Sequence, residues 1–599
     1  MVGKHRALWR LLAVLLAFSL VAAACGGDDD DAADDGNTEA TDDSGSSDDG
    51  GSADDGAAAD DDGDDGAAAD DGAAADDGDD GAITTEIEDD TELEAVSGGT
   101  LRWGLEADVD GLNPVTSALS APGLTMANAV FDTLAAYDVD GNAVPYLAES
   151  FTPSDDLMTW QMKLREGITF HDGTPLNAEA IRSNFEIVIA DPLVGIAVAP
   201  FFPPVEEAFE VIDEYTVQYN LLDPDAFFPA SLTGALGMVP SPAWVAAAVE
   251  DPTLNQQPVG TGPFIFDSRS QDSVTRFVRN DNWWAGEVNL DAIEFVPVTD
   301  PDVRAQLLLE GELNALNTTN TATIDALASD PSIQNLLDDT GEESFLMINS
   351  AAAPFDDIRV RQALTHATPV ENYNLLIGLG INRPANQPFT PESPYYNPDV
   401  EQLSDRPDLA GPLVAEYCAE VPDNCSDGKI NMEYMYAGPS VVGTRIADLL
   451  AEGWGEFFNV SPNEVPQDSL IQNAAFGLYQ TVGWRQFGAV DPSRDNVWLL
   501  CRTVGPVSLN WPRLCDESRD ELLLEGTRTT DPAERIPIYQ ELAQKLSDDY
   551  LYIFYQHTIW DTALAENVRN LCGRTSPEGV ELRCSINGRT FFSTVFIEE

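Results

Sequence analysis

The sequence predicts a multi-domain α/β protein. Its last 502 residues (98–599) are enough for two or three domains with large cores. Within this region, segments with helical spacing are interspersed with short segments that alternate like strands. The two kinds of segment follow no regular βαβ period and no repeat of fixed length, which is typical of a multi-domain α/β protein.

The individual elements follow from the same patterns, with turn residues between them. We expect strands at 100–105, 158–164, 216–220, 264–268, 274–279 and 292–297. We expect helices at 125–136, 177–189, 303–309, 359–366, 444–456 and 533–546.

The first residues predict export. A basic start is followed by an almost unbroken apolar run from residue 11 to 21, then by three alanines and Cys25. This is the layout of a secretory signal peptide, and the run is about half of the ~20 residues that span a bilayer. Small residues directly before Cys25 resemble the lipobox of bacterial lipoproteins, although Ala22 stands where leucine is usual. The resemblance implies that Cys25 is lipidated and begins the mature chain.

Residues 26–97 predict a disordered acidic tether. Positions 28–97 hold 30 Asp and Glu and no Lys or Arg. Such a segment cannot bury enough apolar surface to offset the entropy of ordering. The region after it carries 75 acidic and 26 basic residues, a net charge of −49. We therefore expect no nucleic-acid partner and no membrane contact apart from the lipid.

The cysteines after Cys25 fall into three pairs that are close in sequence. In an exported chain an even number points to disulfides, here Cys418–Cys425, Cys501–Cys515 and Cys572–Cys584. A zinc site is disfavoured because no CxxC occurs and the histidines are widely spread. We expect no metal and no cofactor.

Several segments look like sites and have a structural interpretation. His171, Asp172 and Gly173 are one turn rather than a catalytic group, because Asp-Gly favours turns. Gly260–Gly262 lacks the ending of a phosphate loop and predicts a bend re-entering a sheet. Arg359 and Arg361 are two apart at a helix start and cannot face the same way. The chain has no Gly-x-Ser-x-Gly elbow and no His-Glu-x-x-His, so no catalytic site can be assembled.

A series of motifs in one order resembles the family 5 solute-binding proteins of ABC transporters, which include dipeptide-, oligopeptide- and nickel-binding receptors. The motifs are LRWG (101–104), LNP (112–114), PYLAESF (145–151), LREGITFHDGTPL (164–176), GTGPF (260–264), NDNWW (280–284), IRVRQAL (358–364), GW (483–484) and DP (491–492). The resemblance runs from about residue 98 to the C-terminus.

The resemblance implies a two-lobed α/β periplasmic-binding-protein (Venus-flytrap) fold with an inserted subdomain in the larger lobe. The expected boundaries are a signal peptide at 1–25, a tether at 26–97, lobe I at 98–300 with its insert at about 141–257, lobe II at 301–553, and a return to lobe I at 554–599.

The resemblance also implies the function. We expect a lipid-anchored monomer on the extracytoplasmic face of the membrane, which captures a small organic solute by cleft closure and delivers it to ABC permease subunits. The alternatives are a ligand-sensing receptor for a membrane signalling partner and a secreted hydrolase. We expect no enzymatic activity.

The ligand residues are predicted from the segment that resembles the family's cleft lining and from a Pro-rich loop. They are Trp484, Arg485, Gln486, Phe487, Asp491, Arg383 and Asn386. Peptide-binding members place an Asp three residues after the cleft tryptophan, and here that position is Phe487. Asp491 is one residue out of the usual Asp-Pro register. The resemblance therefore implies a neutral or weakly anionic ligand, peptide-like or a saccharide, stacked on Trp484. For Arg485, a cleft-facing position and an outward position paired with acids both stay open.

Overall fold

The computed structural model describes residues 93–109, 111–117, 119–191, 194–339 and 342–598. All of them belong to one compact unit, Gly78–Glu599. The predicted signal peptide, Cys25 and the acidic segment up to residue 92 lie outside the described residues.

The first lobe is built on a mixed seven-stranded sheet. In spatial order its strands are Ile333–Asp338, Trp560–Ala565, Ala315–Thr318, Thr100–Leu105, Ala292–Pro297, Val274–Arg279 and Phe264–Ser270. Thr100–Leu105 pairs in parallel with both neighbours, and the other neighbouring strands pair antiparallel. This first strand is central, and the side chains of Leu101 and Trp103 are therefore fully buried. The α-helices of this lobe are Ala121–Val130, Pro301–Leu309 and Thr321–Ala328.

A four-stranded antiparallel sheet forms the subdomain inserted in this lobe. Its strands lie in the order Ala148–Pro153, Thr159–Leu164, Thr216–Asn220 and Phe209–Asp213. Its α-helices are Ala178–Ala190, Val205–Ala208 and Pro242–Glu250. The helix that begins at Ala178 is capped by Asn177, whose side chain accepts a hydrogen bond from the backbone N–H of Ala180. The ring of Phe185 then packs edge-on against Phe202 and Tyr219, which fixes the helix on the sheet.

The second lobe has its own sheet, which is buried on both faces. Its main strands lie in the order Cys425–Ser426, Lys429–Ala437, Thr481–Phe487, Glu342–Ile348 and Tyr552–His557, and Phe458–Val465 pairs in parallel with Lys429–Ala437. Leu346 and Ile348 lie in one hydrophobic cluster and Phe345 and Met347 in another, because successive side chains point to opposite faces. The covering α-helices are Ile358–Ala367, Val370–Leu376, Pro407–Glu420, Val441–Trp454, Gln467–Phe476, Glu517–Arg528 and Pro532–Asp548.

Two chain crossings connect the lobes, and they lie elsewhere than predicted. The first crossing follows Ile333–Asp338 and the second precedes Trp560–Ala565. The predicted boundary at 300 is wrong, because Ala315–Thr318 and Ile333–Asp338 are hydrogen-bonded in the first-lobe sheet. The predicted boundary at 553 is wrong by a few residues, because strand Tyr552–His557 pairs in the second-lobe sheet. The physical reason is that hydrophobic alternation identifies a strand but not the strand with which it pairs.

Short elements complete the described part of the chain. The remaining strands form three two-stranded ribbons, Ala135–Tyr137 with Ala143–Pro145, Val568–Arg569 with Phe596–Ile597, and Ser585–Ile586 with Arg589–Thr590. The 3-10 helices are Gly195–Ala197, Ala199–Phe201, Phe228–Leu232, Ala235–Gly237, Pro252–Gln256, Pro422–Asn424, Pro492–Trp498 and Cys501–Thr503.

Most predicted elements occur within three residues of their expected ends, and one is displaced. The helix expected at 125–136 is Ala121–Val130, with a proline in its first turn. The residues after it leave the helix, and Ala135–Tyr137 pairs with Ala143–Pro145. The run through residue 137 is buried on nearly every side and has no single helical face, so its periodicity does not mark the helix end.

The three predicted disulfides are present, Cys418–Cys425 and Cys501–Cys515 in the second lobe and Cys572–Cys584 in the first. Each closes a short loop within one lobe. They are local constraints on loops rather than links between domains.

The turn and bend interpretations of the motifs are confirmed. Asp172 accepts hydrogen bonds from the backbone and hydroxyl of Thr174 and, at 2.5 Å, from the hydroxyl of Ser241. A side chain at Gly260 or Gly262 would come within 2.2 or 2.5 Å of the carbonyl oxygen of Val130. Glycine is required at both positions because two backbones approach closely there.

The arginines at the start of helix Ile358–Ala367 face different ways, as predicted. Arg359 forms ion pairs with Asp357, Glu416 and Glu420. Arg361 is buried and donates to the backbone oxygens of Phe355 and Asp549.

Among the described residues no single helix has the length and apolarity to cross a membrane. Two neighbouring helical segments meet the length and composition criteria when they are counted together. They are Ala178–Ala190 and Gly195–Phe201, and a bend of 93° separates them.

Candidate functional site

A cavity of about 800 Å³ lies between the two lobes. One wall comes from the first lobe and its subdomain, through residues at 140–145, 151–160, 226–230 and 583. The other wall comes from the second lobe, through residues at 388–395, 488–495 and 530–535. The volume falls within the roughly 300–1,000 Å³ of small-molecule sites. Because each lobe contributes a wall, a molecule that fills the cavity contacts both lobes at once.

Aromatic and proline side chains are prominent in both walls. The aromatic residues are Phe151, Trp160, Phe227, Phe389 and Tyr395. Seven prolines lie among them and fix the local backbone. Aromatic faces stack on planar or apolar groups and lose little conformational entropy in doing so. The cavity therefore suits an organic molecule with a planar or apolar part.

Asp491 and Arg535 form a buried ion pair in the second-lobe wall. The guanidinium donates to both carboxylate oxygens, at 2.7 and 2.8 Å. Burial opposes ionisation of Asp491, but the hydrogen bonds and charge of Arg535 outweigh it and hold the pKa of Asp491 below its usual value. Asp491 is therefore already paired and is not a free partner for an ammonium group.

Arg535 also contacts the opposite lobe. Its guanidinium carbon lies 3.6 Å from the centroid of the Phe227 ring, which belongs to the subdomain. Two ion pairs join the same parts of the lobes, Arg494 with Asp225 at 2.7 Å and Arg502 with Asp223 at 2.5 Å. The second lobe thus holds the subdomain segment 223–227 through three arginines beside the cavity.

Two further acids are buried in this part of the second lobe, Asp495 in the cavity wall and Glu343 near it. Burial raises the pKa of Asp495, which lines the cavity, to about 7. Burial and the nearby Asp495 raise the pKa of Glu343 well above its usual value. Glu343 Oε1 lies 3.0 Å from Nδ1 of His557, whose pKa burial lowers to about 4. Burial therefore disfavours the charged form of both groups in this contact.

Trp484 packs against the second-lobe core and is not among the residues that line the cavity. Its indole N–H and that of Trp511 both donate to Oε1 of Gln486, each at 2.9 Å. The two rings are 5.5 Å apart, and Trp498 stacks on Trp511 at 5.6 Å. Gln486 thus orders a group of three tryptophans. A ligand contact of Trp484 and Gln486 stays a prediction.

Arg485 lies between the lobes, where the chain crosses. It pairs with Glu342 at 3.1 Å, donates to the Thr319 hydroxyl at 2.8 Å and lies 4.7 Å from the Trp560 ring centroid. Glu106 of the first lobe is 3.9 Å away. Both interpretations of Arg485 are therefore partly right: it pairs with acids, and it does so between the lobes, outside the cavity wall.

Phe487 is a core residue, and its predicted position facing the ligand is wrong. Its φ of 71° turns the side chain away from the cavity, whose wall begins at the next residue, Gly488. The ring packs against Phe345, Tyr552 and Phe554 in the second-lobe core. The direction of the Phe487 side chain depends on one left-handed backbone angle, and the pattern of residue types in the sequence does not reveal that angle.

The Pro-rich loop reaches the cavity through residues other than the two predicted. Arg383 pairs with Asp339 and Glu392 at the surface. Asn386 donates to the backbone oxygen of Val400 at 2.8 Å. Neither lines the cavity, whereas Phe389 and Tyr395 of the same loop do. Across the part of the chain that the structure describes, no group of three or more His, Cys, Asp or Glu is placed to hold a metal ion.

Of the seven predicted ligand residues, all of which the structure describes, Asp491 lines the cavity. Sequence reasoning missed the aromatic wall and two arginines, Arg535 and Arg583. The aromatic residues of the Pro-rich loop, Phe389 and Tyr395, carried a usable signal, since rigid loops with aromatic residues are common in binding sites. The arginines carried none, because they come from distant parts of the chain.

Comparisons with known proteins agree with this geometry. Residues 142–501 match the model of the bacterial extracellular solute-binding proteins, family 5. Di/tripeptide-binding protein 2 of Pseudomonas aeruginosa is 25% identical over 495 residues, which cover 78% of this chain and 91% of that protein.

Two solved structures share the fold. One is the periplasmic binding protein DppA of Helicobacter pylori in complex with the peptide STSA, with a TM-score of 0.72, 19% identity and coverage of 84% of this chain and 99% of that chain. The other is AgaA of A. tumefaciens R10 in complex with agropinic acid, with a TM-score of 0.72, 22% identity and the same coverage. These relatives are binding proteins and not enzymes. The chain therefore belongs to family 5 of the bacterial extracellular solute-binding proteins, whose members deliver small ligands to ABC permeases.

Proposed function

We propose that this protein is a lipid-anchored extracytoplasmic receptor that captures a small organic solute by closing its lobes and delivers it to the permease of an ABC importer. The observation that supports this proposal best is the cavity of about 800 Å³ with one wall from each lobe. A ligand that touches both walls stabilises the closed form over the open form. The permease then recognises the closed form, so that capture and delivery are coupled.

Closure needs contacts that form only when the lobes meet. Arg535 on the Phe227 ring and the ion pairs of Arg494 and Arg502 are suited to this role, since they join the lobes beside the cavity. Arg485 is suited to set the angle at the crossing, because it contacts both lobes there. Hinge closure around a ligand is a common transition in binding proteins of this kind.

The proposed ligand is a neutral or weakly anionic organic solute, peptide-like or a saccharide. The two related structures hold a peptide and agropinic acid, so the fold accepts both a peptide and an organic acid. In this chain Asp491 is paired with Arg535 and Phe487 lies in the core. A free ammonium group would therefore be buried without the aspartate that the family's peptide-binding members offer, at a cost of several kcal/mol.

Filling the cavity with an indole tests the site. We expect Ala489→Trp to weaken binding at least tenfold, because Ala489 is half-buried in the second-lobe wall. The measurement is calorimetry with free di- to pentapeptides, N-blocked peptides and oligosaccharides, together with native mass spectrometry for a ligand retained on purification. Ala415→Trp, on an exposed face of helix Pro407–Glu420, is the matched control and should bind as the wild type does.

The outcomes separate the site from the ligand class. Unchanged binding in Ala489→Trp would show that the cavity is not the site. Tight binding of unblocked peptides, lost in Ala489→Trp, would overturn the ligand class and leave the receptor intact.

The anchor has its own test. We expect Cys25→Ala to lose lipid labelling and to leave the membrane fraction, because two or more acyl chains on one residue are needed for stable attachment, at about 0.8 kcal/mol per buried CH₂. The measurement is metabolic labelling with palmitate followed by fractionation. A variant that stays wholly with the membrane would place the attachment elsewhere.

A further inference from the structure

One cationic side chain in the cavity wall has no acidic partner. Arg583 and Arg535 are the two arginines that line the cavity, and Arg535 is neutralised by Asp491. No acidic side chain of the described residues lies within ion-pairing distance of Arg583, in a region whose net charge is −49. Its Nε–H group is buried and donates to no protein partner in the described structure. An arginine left unpaired in so acidic a protein is available to a ligand.

The backbone holds Arg583 rigidly. Its N–H donates to the carbonyl oxygen of Tyr137 at 3.0 Å, and the preceding residue, Leu582, forms a bridge with Asp138. The following residue, Cys584, is fixed by its disulfide to Cys572. The backbone at Arg583 is thus fixed, so that ligand binding has to order the side chain alone.

The guanidinium lies where the two walls meet. One of its terminal nitrogens is 3.5 Å from the position of a Cβ built on Gly141, and Val490 of the second lobe is 3.0 Å from the same position. The guanidinium group of Arg583 is thus packed against the 138–142 turn, beside the second-lobe segment 488–495. A ligand group bound to it also meets the opposite lobe.

The acids that face the cavity do not occupy Arg583. Asp491 is held by Arg535, and Asp495 accepts from the backbone N–H of Ala489. Asp140 is exposed on the 138–142 turn and forms no ion pair with Arg583.

We propose that Arg583 binds an oxyanion of the solute, so that the ligand is an organic acid with an apolar or aromatic body. The guanidinium presents its donors in a plane that matches the two oxygens of a carboxylate or the oxygens of a sulfonate. The aromatic residues of the walls hold the body of the molecule. This inference rests on the proposed function, because it names the ligand class of the same cavity.

A pair of probes that differ in one charge tests the inference. Anilinonaphthalene sulfonate is an aromatic anion, and phenylnaphthylamine has the same rings without the sulfonate. Binding of both is measured by fluorescence titration to the wild type, Arg583→Gln and Ala489→Trp. We expect Arg583→Gln to weaken binding of the sulfonate probe about tenfold or more, because one charge-assisted contact is lost. The affinity for the neutral probe should stay the same. Ala489→Trp should weaken both.

Arg528→Gln is the matched control for net charge, since Arg528 is exposed in the last turn of helix Glu517–Arg528. The inference fails if Arg583→Gln leaves the sulfonate affinity unchanged while Ala489→Trp weakens both probes, and the proposed function then stands. It fails too if Arg528→Gln causes the same loss. If Ala489→Trp changes the affinity for neither probe, the cavity is not the binding site, and both the inference and the proposed function fail.

Discussion

Replacing Arg535 with alanine is expected to lower the free energy of unfolding by about 3–5 kcal/mol, because it leaves the Asp491 carboxylate buried without a partner. The two side chains are 5% and 11% exposed, so water cannot replace the lost hydrogen bonds. The substitution also removes the contact with Phe227 between the lobes. Urea unfolding at pH 7.5, followed by tryptophan fluorescence, measures the change.

The pH dependence of this loss has a definite sign. The pKa of Asp491 is lowered in the folded protein, so the stabilisation that it receives from Arg535 is present above the unfolded value of about 3.9 and is lost as the pH falls further. The difference between wild type and Arg535→Ala should therefore shrink below about pH 4. The double variant Asp491→Asn with Arg535→Ala removes the stranded charge and should recover part of the loss. A cost below about 1 kcal/mol for the single variant at pH 7.5 would contradict the assignment.

The second large effect is stabilising. Asp561 is fully buried in strand Trp560–Ala565, and neither of its carboxylate oxygens has a hydrogen-bond partner in the described structure. Burial raises its pKa well above the usual value. We expect Asp561→Asn to raise the free energy of unfolding at pH 8 by about 1–3 kcal/mol, because the amide, although it also lacks a partner, carries no charge that burial opposes.

Asp561 should affect stability with the opposite pH dependence to Asp491, because its pKa is raised in the folded protein rather than lowered. A raised pKa means that wild-type stability is complete below the unfolded value of about 3.9 and is lost as the pH rises toward the folded value. The stabilisation by Asp561→Asn should therefore vanish at about pH 4 and grow above it. Asp325→Asn, exposed on the neighbouring helix Thr321–Ala328, should change nothing. Equal gains at pH 4 and pH 8 would show that ionisation is not the cause.

Much of the fold could be predicted because its information is local. Strands such as Val274–Arg279 and Ala292–Pro297 end at the predicted residues, since alternation and flanking turns mark both ends. The lobe boundaries could not be predicted in this way. Whether Ala315–Thr318 belongs to the first or the second sheet depends on pairing with Trp560–Ala565, more than 240 residues later.

The site was harder to predict because it depends on backbone geometry and on distant residues. The resemblance led to the segment 484–491, which does adjoin the cavity. Within that segment the left-handed angle at Phe487 decides which side chains face inward. Arg583 reaches the cavity from the far end of the chain, and no spacing in the sequence relates it to Asp491 or Phe389.

The order of strands in the two sheets bears on how the chain folds as it is synthesised. Every strand of the second-lobe sheet comes from one continuous stretch of the chain, which runs from Glu342 to His557. That lobe can complete its sheet on its own. In the first lobe, Trp560–Ala565 lies between Ile333–Asp338 and Ala315–Thr318. Ile333–Asp338 therefore has no place in the sheet until Trp560–Ala565 has been synthesised. Because partly built sheets with open edges are prone to aggregate, the first lobe is the half whose sheet edge stays unpaired for longer during folding.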